Sequence, residues 1–185
     1  MQKLLLGMVF LISLCLAACS IVTTSPKIPI EPYAEWGVVP FVNNTETPQG
    51  GARATSMVSG LLRATRHGQL KVMQPSASLK KMLTDPNQVL TNRQVRAWAS
   101  RNNVRYIITG SVNEWHYKVG LDGEPVVSIT IRLVDVATNH VLWNSVGSKI
   151  GGSRSGLTNV AQELMIKMLK DLFSRCNRTE VGGSM

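Results

Sequence analysis

The spacing of apolar positions changes along this chain, and each change marks an element. Leu4 to Leu16 is an almost unbroken apolar run, interrupted by Gly7 and Ser13. The polar stretch TTSPKIPIEP follows, with Pro26, Pro29 and Pro32 spaced for extended polyproline geometry. WGVVPFV, from Trp36, reads as a buried strand with Pro40 at a bulge or strand end. NNTETPQGG is a long turn. Ala52 to Arg66 puts Ala54, Met57, Val58, Leu61 and Thr65 at helical spacing, and Gly68 suits the C-terminal cap. LKVM is a short second strand. Ser76 to Leu83 predicts a short helix, broken by Asp85-Pro86-Asn87. Thr91 and Gln94 form a capping box for a helix to Asn102, with Val95, Trp98 and Ala99 inward.

A period of two then takes over. VRYIITGSVNEWHYKVG is a long strand, and Asp122-Gly123 suits a tight hairpin turn. Val127, Ile129, Ile131 and Leu133 alternate with Ser128, Thr130 and Arg132, which buries one face and wets the other. Ala137 to His140 turns again, and VLWNSVGSKI is the last strand. Leu157 to Phe173 closes as an amphipathic helix with Leu157, Val160, Ala161, Leu164, Met168 and Leu172 on one stripe. The order is β-α-β-α-α-β-β-β-α. It predicts an α+β domain, an α/β sandwich whose mixed sheet ends in an antiparallel meander covered by helices. The chain divides into a signal peptide at 1–18, a lipidated Pro-rich tether at 19–35, one α/β domain at 36–175 and a disordered tail at 176–185.

The first apolar run is too short for a spanning helix, which needs about 20 apolar residues. Gln2-Lys3 before it and small residues after it make a secretory signal. The small residues lead into Cys19, and Leu16-Ala17-Ala18-Cys19 matches the bacterial lipobox. That match implies cleavage before Cys19 and acylation of its thiol and new amino group. Two or more acyl chains anchor stably where one does not. Ser20, where the sorting rule has aspartate for inner-membrane retention, points to the outer membrane, facing the periplasm. The Pro-rich tether would reach about 50 Å.

Removing residues 1–18 of the 185 leaves 167, enough for one domain with a real core. Cys176 is then the one thiol left, so the fold needs no internal disulfide. Between Arg53 and Arg105 stand ten basic residues and one acid, Asp85. In the periplasm such a block suits lipid phosphates or an acidic partner better than nucleic acid, or is a solvated surface.

Chemistry-bearing motifs are sparse. His67, His116 and His140 fit no metal-ligand spacing, although His116 and His140 could approach on neighbouring strands. Nucleophile-elbow, Cys–His and phosphate-loop signatures are absent, and Gly50-Gly51 before a helix reads as a turn. The chain reads as no enzyme, with no cofactor and no metal. Trp36 and Trp98 fall on core-facing positions. Trp115 and Trp143 lie beside polar neighbours, in EWHY and LWNS, and read either as membrane-interface residues or as cross-strand or oligomer contacts.

With the lipobox, WGVVPFVNNTETPQGG, RYIITGSVNEWHYKVGLDGEPVVS and RLVDVATNHVLW in view, the chain resembles the PelC family. These are outer-membrane lipoproteins of Pel exopolysaccharide export in Gram-negative bacteria. The PFVN-T and LW segments are shared more widely, with the CsgG, LpoB and TolB N-terminal group. The resemblance implies a ring-shaped homo-oligomer of about a dozen copies, held at the inner leaflet by acyl chains and a Trp belt. It implies guidance of a cationic polysaccharide to a PelB-like outer-membrane β-barrel. Cys19 carries over as the anchor and Trp143 as the belt residue, with Trp115 second. The family's funnel is acidic and this chain is basic, which leaves Asp122, Glu124, Glu114 and Asp135 as the acids to turn toward the pore. A CsgG-like secretion pore component and an LpoB-like activator of an envelope enzyme are the alternatives.

Overall fold

The computed structural model describes residues 20–25, 30–31, 33–65, 69–74, 76, 93–120 and 123–178. The strands are β1 (Ser20–Thr24), β2 (Trp36–Val38), β3 (Val42–Asn43), β4 (Leu70–Val72), β5 (Tyr106–Tyr117), β6 (Pro125–Asp135) and β7 (Val141–Ile150). The helices are α1 (Gly50–Thr65), α2 (Arg93–Arg101) and α3 (Leu157–Arg178). The seven strands form one mixed sheet in the order β1-β7-β6-β5-β2-β4, and β3 also pairs with β5. β5, β6 and β7 make the antiparallel meander, while β2, β3 and β4 add parallel pairings.

The alternation in β6 explains the main core. Val127, Ile129, Ile131 and Leu133 point to the face covered by α1 and α3. There they meet Ala54, Val58 and Leu62 of α1, and Leu164, Met168 and Leu172 of α3. Trp36 and Tyr106 pack edge to face in the same core, with centroids 5.9 Å apart. α2 lies on the opposite face, where Val95 and Ala99 join Val39, Val42, Met73, Val104 and Ile107. Trp98, half-buried, lies over Gly37, where a Cβ would stand 2.8 Å from the indole. α2 reaches only the β2 end of that face. Over the meander the outward residues are polar, but Thr109, Ser111 and Thr130 are buried and Ser128 and Ser148 half-buried, so this face is only partly open to solvent.

Several boundaries differ from expectation. The WGVVPFV strand is split: Val39 N–H still donates to the Ile108 carbonyl at 3.0 Å, but Pro40 lies between β2 and β3. Proline has no N–H to continue a ladder. The Asp122-Gly123 turn is not a two-residue turn. The ladder ends with Lys118 N–H donating to the Glu124 carbonyl at 2.8 Å, so five residues, not two, separate the paired positions. Gly123 has φ 51°, a conformation that glycine adopts without a Cβ clash. α3 continues through Arg178, past the boundary expected at 175. The expected helix at Ser76 to Leu83, the capping threonine Thr91, His67 and the Gly68 cap lie outside the described residues, apart from Ser76 itself.

The largest difference is β1. The start of the supposed tether is a strand, paired antiparallel to β7 with Ser20 opposite Lys149 and Thr24 opposite Ser145. SIVTT has the β-branched composition that suits a sheet edge. Val22 packs against the main core, and Ser25 N–H extends the pairing to the Asn144 carbonyl at 2.9 Å. Residues 20–25 therefore add no free reach between Cys19 and the domain.

Candidate functional site

The start of β1 is held on two sides. Its backbone pairs with β7, and from α3 the Lys167 ammonium donates to the Ser20 hydroxyl at 2.8 Å and to its carbonyl at 3.3 Å. Lys167 and Glu163 are one helical turn apart, and Glu163 pairs with Lys149 of β7. Cys19 lies outside the described residues and precedes Ser20 in the sequence. The β5–β6 loop and the β7–α3 loop stand at this same end of the sheet, because Tyr117 pairs with Pro125 and Val126 with Ile150. The Tyr117 hydroxyl accepts a hydrogen bond from Leu157 N–H at 3.0 Å, which joins the two loops.

The tryptophans expected at a membrane interface are in the core instead. Trp143 is 0% exposed and Trp115 is 1% exposed. Trp143 Nε1–H donates to Asp171 Oδ2 at 3.2 Å, so α3 covers the ring and satisfies its one polar group. On the inner face of β7 the next residues are Ser145 and Gly147, and the small side chains let α3 sit close. Trp115 shares that face, and its carbonyl accepts from the Thr47 hydroxyl at 2.5 Å. A ring with no accessible surface cannot insert among headgroups, so neither tryptophan sits at a membrane interface in this fold.

The four candidate acids do not form one cluster. Asp122 lies outside the described residues. Glu124 is a half-exposed partner of Lys118 at 3.2 Å, at the Ser20 end of the sheet. Glu114 is half-buried and stands opposite Ser128, beside a bulge in β5. Asp135 is at the other end of the sheet and is 5% exposed. Its Oδ1 accepts from Ala137 N–H at 2.8 Å and Thr138 N–H at 3.1 Å, and Arg105 Nε donates to Oδ2 at 3.2 Å. Burial pushes the Asp135 carboxyl up, but the two N–H groups and the guanidinium together hold it below its usual value. Hydrogen bonding and charge from Asp135 in turn raise Arg105. Asp135 is a capped, paired turn residue, not a free acid for a polymer.

Among its described residues the basic block does not form one patch. Arg53 and Arg63 are exposed on α1, while Arg93, Arg96 and Arg101 are exposed on α2, across the sheet. Lys71 pairs with Glu35, and Arg105 with Glu31 as well as Asp135. His116 and His140 lie at opposite ends of the sheet, on strands separated by β6 or in its turn. A cleft of about 670 Å³ lies beside α1, lined by Phe41, Asn43, Thr55, Ser59, Arg63 and Met73. Its hydroxyls serve the fold: Thr55 accepts from Phe41 N–H and donates to the Gly51 carbonyl, and Ser59 donates to the Thr55 carbonyl. Gly51 is packed against the Phe41 backbone in the first turn of α1, so the Gly pair closes a contact. Among the described residues no His, Cys, Asp and Glu group could hold a metal, and no helix is long and apolar enough to cross a membrane.

The mixed seven-stranded sheet, with two helices on one face and one on the other, defines an α+β domain of a kind found in bacterial lipoproteins. A lipoprotein from Neisseria meningitidis shares this fold, with TM-score 0.53 and 18% identity over 76% of this chain and 99% of that one. A PelC dodecamer from Paraburkholderia phytofirmans is far more similar. It matches with TM-score 0.69 and 33% identity over 83% of this chain and 97% of that chain. A PelC variant dodecamer from the same organism, in another crystal form, gives 0.68 and 34% over 82% and 96%. The chain belongs to the PelC family. No protein-family model and no curated protein matches it.

Proposed function

We propose that this protein is a lipoprotein acylated at Cys19, held at the periplasmic side of the outer membrane. It assembles as a ring of about a dozen copies and assists export of a Pel-type exopolysaccharide toward an outer-membrane β-barrel. The observation that carries this reading is the 33% identity to a PelC dodecamer across 97% of that chain. The lipobox supports the anchor. A cationic polymer would be guided by carboxylates on the ring's inner surface, for which Glu114, Glu124 and Asp122 remain available. The Glu124–Lys118 pair is exposed and worth at most about 1 kcal/mol, so it opens readily to a stronger cation.

The test is the native mass of the mature protein extracted from membranes in mild detergent. A discrete oligomer of about twelve copies is expected, and Cys19→Ala should move the protein to the soluble fraction. A monomer at working concentration would remove the ring, and membrane fractionation unchanged by Cys19→Ala would remove the anchor.

A further inference from the structure

The helix α2 has nine residues, RQVRAWASR, with three arginines and no acid. Val95 and Ala99 turn to the sheet, which leaves Arg93, Arg96 and Arg101 exposed. Among the described residues no carboxylate pairs with any of the three. An open groove of about 530 Å³ runs beside the helix, lined by Arg93, Arg96, Ala97, Ser100 and Val136. Val136 follows β6 and packs against the α2 core, so its half-buried side chain gives the groove a fixed apolar wall. Its N–H donates to the Arg105 carbonyl at 2.9 Å, which ties that wall to the start of β5. The neighbouring acid, Asp135, is already bonded to Arg105 and to its own turn. The groove stands at the end of the sheet far from Ser20. Ser20, Lys149 and Val127 are level with one another, and Val136 lies beyond Val127 by about 30 Å of strand.

We propose that this groove docks an acidic segment of a partner protein, with two carboxylates on Arg93 and Arg96 and a small apolar side chain against Ala97 and Val136. Charge complementarity selects this occupant. Each guanidinium presents a fork that matches a carboxylate with two parallel hydrogen bonds. Residues three apart on a helix have Cβ atoms about 5–6 Å apart. Alternate residues of an extended chain are about 6.7 Å apart and point the same way, so a segment with acids at alternate positions reaches both arginines. A guanidinium pair repels a cationic polymer, so the groove lies off the path of the proposed cargo. Lipid phosphates have the right sign, but with Cys19 acylated the Ser20 end of the sheet is the end nearest the bilayer. The separation is several times the screening length of about 8 Å at physiological salt. The exclusion of lipid rests on the acylation reading; the docking does not.

The experiment uses the full-length protein in mild detergent and a fluorescein-labelled peptide of alternating glutamate and alanine. Binding is read by fluorescence anisotropy at about 0.15 M salt. The peptide should bind saturably, and Arg93→Gln with Arg96→Gln should weaken it by about tenfold or more. Arg53→Gln with Arg63→Gln removes the same charge from α1, across the sheet, and should change binding by less than about twofold. Equal losses from both pairs would reduce the binding to net charge and overturn the site, as would no binding to wild type. Native mass is measured on the same variants, and so is binding of their unlipidated Cys19→Ala forms to phosphatidylglycerol vesicles. If the α2 pair lowers the native mass, the occupant is a second copy of this chain. If the α2 pair alone abolishes vesicle binding, the occupant is lipid. Either result overturns a partner protein. Cys19→Ala protein that stays on membranes would defeat the acylation reading and leave the peptide result standing.

Discussion

Replacing Trp143 separates a packing role from a membrane role. The side chain is fully buried between β7 and α3. An aromatic side chain buries about 150–250 Å². At about 25 cal/mol per Å² that is about 4–6 kcal/mol, an upper bound because the unfolded chain already shields some of it. The bond from Nε1 to Asp171, a half-buried acid, adds about 1 kcal/mol. Trp143→Ala should therefore cost about 3–5 kcal/mol, in line with other buried aromatic truncations. A domain of this size has about 5–15 kcal/mol in all and loses about 2–4 °C per kcal/mol, so Tm should fall by about 6–20 °C. Trp143→Phe keeps most of the area and loses the N–H bond, which sets its cost at about 1–2 kcal/mol.

Thermal and urea unfolding of the unlipidated domain give both values. Vesicle flotation of the acylated Trp143→Phe protein gives the third, and it should match wild type. A Trp143→Ala protein within about 1 kcal/mol of wild type would refute the packing argument. A Trp143→Phe protein that folds normally but leaves the membrane would restore the interface role.

Two further substitutions probe the sheet. Asp135 has a depressed carboxyl pKa in the folded state, so its stabilisation is full above the unfolded value of about 3.9 and is lost as pH falls through the lower folded value. Asp135→Asn should be less stable than wild type by about 1–2 kcal/mol at neutral pH, and the gap should close on acidification. Urea midpoints from neutral pH to about pH 3 check this, and a gap constant with pH would show that the charge contributes nothing. A Cβ at Gly110 would collide with the Thr130 carbonyl and the Phe41 ring, so Gly110→Ala should cost at least about 2 kcal/mol, and an unchanged Tm would be the contrary result.

The meander and α3 were legible because their inner faces are apolar at a single period. Val127, Ile129, Ile131 and Leu133 show period two, and Val160, Leu164, Met168 and Leu172 show the helical stripe. β7 was legible as a strand but not for which side faces inward. Its inner face reads Trp143, Ser145, Gly147 and Lys149, while Val146 is exposed. Small and polar residues stand inside because α3 needs the room, so the usual alternation rule misleads. β1 was hidden by its context. Three prolines follow within a few residues, and the whole stretch looked like a linker, although Ile21, Val22, Thr23 and Thr24 carried a strand signal. The Arg105–Asp135 pair has a sequence separation of 30 and no local signature, so only the β5–β6 register shows it.

The same register bears on the proposed guidance of a cationic polymer by a basic chain. The net charge is +9, but charge acts locally, because screening at physiological salt falls off over about 8 Å. The cations of α1 and α2 lie on opposite faces of the sheet, and two others are paired with Glu35 and with Asp135. Asp135 is consumed at the end far from Ser20, whereas Glu124 stands at the near end and Glu114, half-buried, on the meander's outer face. Strands of 10–12 residues place the two ends about 33–40 Å apart. That distance is several screening lengths. In the proposed ring, what a passing polymer would meet is set by which end and which face line it, and the net charge of the chain has little bearing on it.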